Sequence, residues 1–424
     1  MRILVLATIP FEGLRRRQQQ VALGLAARGN EVLYLEPPRP VRSLVDPARF
    51  EPAELDNGGK TGRDDSGAEE APAGTGLPDA WAQLAKEAEL RTIAPHLTIA
   101  RKGVGMAKMG AWGWAARLGW RLWAGQVERL ISDARAEVVL VYHPALIGAA
   151  RAALEAPIIF ECLDDFPSLV PSSSIAVAYD EALRSGLPQV DGFLAVNRYL
   201  LESWGRFLRE GVPVRVIEHG VDLSMFRPAT PERRTQARER LHLAPDVPVG
   251  AYLGRFDARL SYADLELIFD RAPELRLLLL GEVSSEGEDI LQRLPHERIH
   301  RLGPLRPGQA AELIAAADLT LLTLRREPHL EPIRGLKLYE YLATGLPVLA
   351  SFRRAVKAFR EALYLYTDAA ELEVRLREAL GEAPEASIRA ERVRIARENG
   401  WQLRIGEIAD FLTEVASSAE AHDG

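Results

Sequence analysis

Residues 331–351 read EPIRGLKLYEYLATGLPVLAS, and this stretch organises the rest of the chain. Its pattern predicts a loop, a short amphipathic helix, a stop at Gly345 and a buried strand beginning Leu346-Pro347-Val348-Leu349-Ala350. Lys337 and Glu340 are the charged residues of the helical part. A lysine opening a helix sets a cation among free backbone N–H groups, which suits an anionic ligand such as a diphosphate. Glu340, one turn on, can accept hydrogen bonds from a pair of hydroxyls, as on a ribose. The same two residues, three apart, also fit an ordinary surface ion pair worth a few tenths of a kcal/mol. The surrounding chain has to decide between these readings.

A chain of 424 residues is too long for one core and points to two domains of α/β size. The formal charge of -7 offers no large cationic field, so no nucleic acid is expected as partner. The single cysteine, Cys162, excludes an intramolecular disulfide and a cysteine-rich metal site, and fits a reducing cytoplasm. MRILVLATIP is too short an apolar run for a secretory signal and reads as a first buried strand. No uncharged apolar run is long enough to cross a bilayer, so any membrane contact would come from the surface, at the inner face of the membrane.

Working outward, Arg2 to Ala7, a loop from Thr8 to Gly13, a helix from Gln18 to Ala27 and a strand from Glu31 to Leu35 make a βαβ opening of the doubly wound kind. It lacks G-x-G-x-x-G. In the loop, Arg15 is open between meeting a phosphate and covering the helix start, whereas Arg16 and Arg17 read as covering it. Residues 52–79, rich in Gly, Asp, Glu, Ala and Pro, predict a mobile loop. From Met106 to Ile131, Trp112, Trp114, Trp120 and Trp123 alternate with Lys108, Arg117, Arg121 and Arg129. Trp112, Trp120, Trp123 and Val127 fall near one helical face, the pattern of an interfacial membrane anchor and, far more commonly, of a helix packed on a sheet.

Glu137 to Tyr142 predict a buried strand ending at His143, placed to donate to a substrate or, more blandly, to cap a helix. Leu163-Asp164-Asp165-Phe166 follows another strand, and adjacent acids on extended chain point apart, which supports no metal site. Strand alternation restarts after EHGVDLSMFRP with strands at Val247 to Leu253, Leu275 to Leu280, Ile299 to Leu302, Leu319 to Leu324, Pro347 to Ser351 and Ala362 to Tyr366. The first of these ends in Gly254-Arg255-Phe256-Asp257-Ala258-Arg259, a glycine turn in which Arg255 suits a phosphate and Arg259 can join it. The expected domains are 1–222, 223–400 and a C-terminal helix in 401–424 that crosses back onto the first.

The segments VIEHGVDLSMFRP, YLGRF, LLLLGEV, HRLGPL and GLKLYEYLATGLPVLAS resemble a GT-B glycosyltransferase of the family-four-like kind. ILVLATIPFEGLRRRQQQ and FECLDDF are similar to bacterial teichuronic acid glycosyltransferases. The resemblance implies two Rossmann-like domains, their parallel sheets facing a central cleft. It implies a hexosyltransferase that moves a sugar from a nucleotide-diphosphate sugar to a glycan, lipid-linked or small-molecule acceptor in cell-surface polysaccharide or glycolipid assembly. Configuration would be retained, with no cofactor and no bound metal.

By match, His143, Arg255 and Lys337 would be the catalytic residues. Gly13, Gly254, Arg259, Glu331, Gly335, Leu336, Leu338 and Glu340 would hold the nucleotide sugar. Two departures stand out. Arg259 lies one place short of the family's usual second basic residue, and Pro332 occupies the position of a glutamate that commonly touches the donor sugar. Glu331 is displaced from it by one residue, so either Glu331 reaches the sugar or the backbone of Gly335 and Leu336 does the positioning. Two alternatives follow: a sugar-nucleotide epimerase, and a binding or scaffold subunit that kept the fold and lost activity.

Overall fold

The structure is a computed structural model that describes residues 1–11, 16–37, 39–40, 89–101, 104–105, 113–170, 173–327, 330, 335–383 and 386–423. Gly13, Arg15, Trp112, Glu331, Pro332 and the 52–79 stretch lie outside the described residues.

Contacts divide the chain into two units. One runs from Met1 to Glu218 and takes in the chain from Arg404 onward; the other holds His219–Leu403. These divisions fall a few residues from the sequence-based boundaries at 222 and 400, for local reasons. Arg17 donates to the carbonyls of Ile217 and Glu218, keeping them with the first unit. Val221 pairs with Gly400 and accepts from the Trp401 N–H, joining the two ends of the second.

In the first unit, eight strands are bonded in the order Val214–Val216, Gly192–Ala195, Ile158–Cys162, Val138–Val141, Arg2–Leu6, Glu31–Leu35, Leu97–Arg101 and Glu89–Ala94. All neighbours are parallel except the last pair, an antiparallel hairpin turned at His96, whose φ is 63°. The runs RILVL, VVLV and IIFEC are almost wholly buried, as strands covered on both faces require. The final helix, Trp401–Asp423, buries Ile405, Ile408, Phe411, Leu412 and Val415. Gly24 faces Ile405 with no space for a side chain, and Gly192 faces Phe411 and Val415.

The second unit carries six parallel strands in the order Ile299–Leu302, Arg276–Leu280, Val249–Leu253, Leu319–Leu322, Val348–Ser351 and Tyr364–Tyr366. Counted from its own first strand, this is the order 3-2-1-4-5-6 of a doubly wound nucleotide-binding sheet. The order reverses beside Val249–Leu253, so the crevice that such a sheet offers a ligand opens at Gly254. In the first unit the corresponding reversal lies between Arg2–Leu6 and Val138–Val141, the strand that leads to His143.

Candidate active site

Two glycines shape the ligand end of the second sheet. Gly254, just after Val249–Leu253, has φ +102°, and Gly281, just after Arg276–Leu280, has φ +152°. A Cβ on Gly281 would sit 2.5 Å from the Gly254 carbonyl oxygen, and one on Gly254 would sit 3.4 Å from Lys337 Nζ. Only glycine lets the two strand ends and the lysine approach this closely. The turn is then stitched to its neighbour: the Gly254 N–H donates to Leu280 O at 2.9 Å, the Phe256 N–H to Glu282 O at 2.8 Å and the Ser284 N–H to Phe256 O at 2.9 Å. A cavity of about 290 Å³ opens at these strand ends, lined by Arg255, Gly281, Glu282, Val283, Arg301, Gly303 and Pro304. Arg255 is exposed at its edge.

The helix Leu336–Thr344 begins at Gly335, which has open space where a side chain would be, and ends at Gly345 in the left-handed conformation. Leu338, Tyr339, Tyr341 and Leu342 are buried, which fixes the helix against the sheet and leaves Lys337 and Glu340 half-buried on its other side. Tyr341 locks the register: its hydroxyl accepts from the Leu253 N–H at 2.8 Å and donates to Leu321 O at 3.3 Å. Leu338, counted among the nucleotide-contacting residues from sequence, has its side chain in the core and donates its N–H to the Gly335 carbonyl at 3.2 Å.

Lys337 Nζ donates to Tyr252 Oη at 2.6 Å and lies 4.1 Å from that ring's centroid. Tyr252 Oη in turn donates to the Arg255 carbonyl at 3.0 Å. One phenol therefore joins the lysine to the arginine-bearing turn. Burial lowers the Lys337 pKa to about 7, helped by the cations of Arg259 and Arg353 and opposed by Asp257 and Glu340. Burial raises that of Glu340 to about 7, opposed by Lys337. An anion arriving here would restore the charge on Lys337.

Arg259 is gripped by Asp257, whose two carboxylate oxygens accept from its Nε at 2.9 Å and its Nη2 at 2.7 Å. Burial alone would raise the Asp257 pKa, but the bonds and charge of Arg259 outweigh it and the net direction is down. Within the second unit, then, Gly254, Arg255, Arg259, Gly335, Leu336, Lys337 and Glu340 gather around the ligand end of one sheet. Tyr252, Arg353 and the cavity residues Glu282 and Arg301 were not singled out from sequence. An aromatic hydroxyl inside a buried YLGRF strand carries no signal of its own until its two partners are in place.

In the first unit His143 is buried, and its Nδ1 accepts from the Ala145 N–H at 3.2 Å, capping the turn Pro144–Leu146. The hydrogen must therefore be on Nε2. The rings of Trp120, Trp123, Tyr179 and Phe166 surround it, at centroid distances of 5.1, 5.1, 5.5 and 6.3 Å. With no carboxylate to oppose it, burial lowers the His143 pKa to about 3, so the imidazole is neutral. The capping role is what its contacts display. Arg17 does more than cover a helix start: it is buried, and its Nε and Nη2 donate to Glu161 Oε1 at 2.8 and 2.6 Å.

Residues 263–410 match a family model described as glycosyl transferase-like. The chain is 22% identical over 236 residues to the putative teichuronic acid biosynthesis glycosyltransferase TuaH of Bacillus subtilis, covering 53% of this chain and 57% of that one. It is 27% identical over 179 residues to a GDP-mannose-dependent monoacylated phosphatidylinositol monomannoside mannosyltransferase of Corynebacterium glutamicum, 40% and 46% of the two chains. It is 32% identical over 168 residues to a D-inositol 3-phosphate glycosyltransferase of Nocardia farcinica, 36% and 35%. The matches span between about a third and just over half the length of these relatives.

Among solved structures, a sucrose-phosphate synthase from Thermosynechococcus elongatus superposes with a TM-score of 0.68 at 17% identity, over 98% of this chain and 99% of that one. Anabaena HepE in complex with UDP and glucose superposes with a TM-score of 0.63 at 15% identity, over 97% and 99%. These likenesses show the fold: the chain has two Rossmann-like domains of the GT-B type, as its motifs led us to expect.

Proposed function

We propose that this GT-B chain is a glycosyltransferase that moves a sugar from a nucleotide-diphosphate donor to an acceptor. In this reading the glycine turn and the Leu336–Thr344 helix hold the donor's diphosphate. The observation that carries it is the bond from Lys337 to Tyr252, which sets an ammonium beside the Arg255 turn at the reversal point of the second sheet. Arg255 and Lys337 meet the charge that builds on the leaving diphosphate, and Lys337, held beforehand by Tyr252, stabilises it without reorganising. Glu340 accepts from the ribose hydroxyls. Those two cations and the N–H groups at the helix start supply the electrophilic assistance, so the reading calls for no divalent ion, and turnover should persist in a chelator. His143, neutral and enclosed in the first unit, has no charge to contribute.

Retention of configuration and a role in cell-surface polysaccharide or glycolipid assembly belong to the same reading. They are supported by the family resemblance and by relatives named for teichuronic acid and phosphatidylinositol mannoside synthesis. A thermal-shift screen with UDP, GDP, ADP and dTDP tests the donor site. At least one diphosphate should raise the melting temperature, and Arg255→Ala combined with Lys337→Ala should abolish the shift. No shift with any of the four would overturn the proposal. Product NMR with the matching donor sugar then reads the anomeric outcome.

A further inference from the structure

The cavity at the ligand end of the second sheet crosses three strand ends. Arg255 comes from the turn after Val249–Leu253, Glu282 and Val283 from the turn after Arg276–Leu280, and Arg301, Gly303 and Pro304 from the edge strand Ile299–Leu302 and the loop beyond it. Two interstrand steps separate its ends, roughly 10 Å in all. Lys337, bonded through Tyr252 to the Arg255 turn, stands at the central end. A donor whose diphosphate meets Arg255 and Lys337 therefore has room for its nucleoside in the direction of the edge strand. The volume of about 290 Å³ suits a ring system with its ribose.

The far end has a different chemistry from the Arg255 end. Arg301 lies on the same side of its strand as Ile299, and its Nη2 is taken by Glu288 of the helix Ser285–Leu291. That carboxylate balances the guanidinium's charge and fixes its plane, while 51% of the Arg301 side chain is still exposed to meet a ligand. Glu282 lines the same cavity, and a carboxylate there repels a second phosphate but accepts from N–H or hydroxyl groups. Across from them, a Cβ on Gly303 would meet nothing within 4 Å, which leaves a slot open above the backbone. A held plane, a balanced charge and an open slot suit a flat neutral ring rather than an anion.

Given a nucleotide-diphosphate donor, on which this inference rests, we propose that Arg301 stacks on the donor's nucleobase and that Glu288 is the positioning residue that holds its guanidinium flat for that purpose. The pair contributes affinity for the nucleoside and none for the diphosphate. It is carried by the edge strand, away from the residues that meet the charge of the leaving group.

The test compares two probes by isothermal titration: inorganic pyrophosphate, and whichever of UDP, GDP, ADP and dTDP raises the melting temperature most. Arg301→Ala should weaken the nucleoside diphosphate about threefold to thirtyfold and leave pyrophosphate within about twofold of wild type. Arg301→Lys, which keeps the charge and loses the plane, should recover little of this. Glu288→Gln should cost about twofold to fivefold alone and nothing further in the Arg301→Ala background. Both positions are exposed enough for the melting temperature without ligand to stay unchanged. The proposal is overturned if Arg301→Ala leaves the nucleoside diphosphate unaffected, if it weakens pyrophosphate equally, or if lysine restores binding in full. It is also overturned if wild type holds pyrophosphate as tightly as all four nucleoside diphosphates, because the base then adds nothing. Wild type that binds neither probe would remove the donor site itself, a separate result from any of these.

Discussion

Lys337 and Tyr252 lie 85 residues apart in the chain and share a 2.6 Å hydrogen bond that brings an ammonium to the arginine-bearing turn. The phenol also donates to the Arg255 carbonyl, so Tyr252→Phe keeps the packing and removes both bonds. Bonds to charged groups contribute about 1.5–3 kcal/mol, which corresponds to a loss of roughly tenfold to a hundredfold in nucleoside-diphosphate affinity. Isothermal titration with the diphosphate identified by thermal shift measures it. An unchanged affinity would show that the lysine and the turn hold their positions without the phenol.

The shifts of Lys337 and Glu340 predict a trough in ligand-free stability near neutral pH. Glu340 moves from 4.5 to about 7 on folding, so between those values the folded chain holds more protons and stability falls as pH rises. Lys337 moves from 10.5 to about 7, so above about 7 the unfolded chain holds more protons and stability rises with pH. Melting temperatures across this range should show the trough. Glu340→Gln should remove its acidic side and Lys337→Met its alkaline side, while profiles parallel to wild type would refute the assignment.

Gly281→Ala should destabilise the second unit. The added methyl would sit 2.5 Å from the Gly254 carbonyl oxygen at a φ of +152°, and backbone strain of this kind costs about 1–3 kcal/mol before any clash is counted. Denaturant unfolding measures the loss. Gly303→Ala serves as the control, because nothing lies within 4 Å of a Cβ there.

Glu161→Gln should cost about 3–5 kcal/mol of first-unit stability, since it leaves the buried Arg17 guanidinium without its counter-charge. Chemical denaturation followed by tryptophan fluorescence reads this. A cost below about 1 kcal/mol would mean that the Ile217 and Glu218 carbonyls suffice to hold the charge.

Strands wrapped on both faces were the most legible part of the sequence, because they appear as apolar runs: Glu31 to Leu35 has the same limits in sequence and structure, and Leu275 to Leu280 differs by one residue at its start. The hairpin Glu89–Ala94 and Leu97–Arg101 went unread, since ELRTIAPHLTIAR mixes its polar and apolar residues as an edge strand does and is turned by a histidine rather than a glycine. At the candidate site, residues whose type announces a ligand were legible: Arg255, Lys337, Glu340. Residues that act through a partner distant in sequence were not. Tyr252 is apolar-looking in its strand, Arg17 and Glu161 are 144 residues apart, and Arg353 becomes a neighbour of Lys337 only when the sheet forms. The tryptophan helix was legible as a face: Trp120, Trp123 and Val127 were read as one side with two fates open, and the structure packs that side inward.

The return of the chain at Arg404 sets an order for synthesis. The helix that covers Gly24 and Gly192 and places Glu414 against Arg215 at 2.5 Å is made only after the whole of the second unit. The first unit therefore waits for the whole of the second to be made before its wall can close, and until then Gly24 and Gly192 stand without Ile405, Phe411 and Val415 as their outer neighbours. Stop codons anywhere before that helix should yield a chain whose opening domain, though fully translated, has not finished folding.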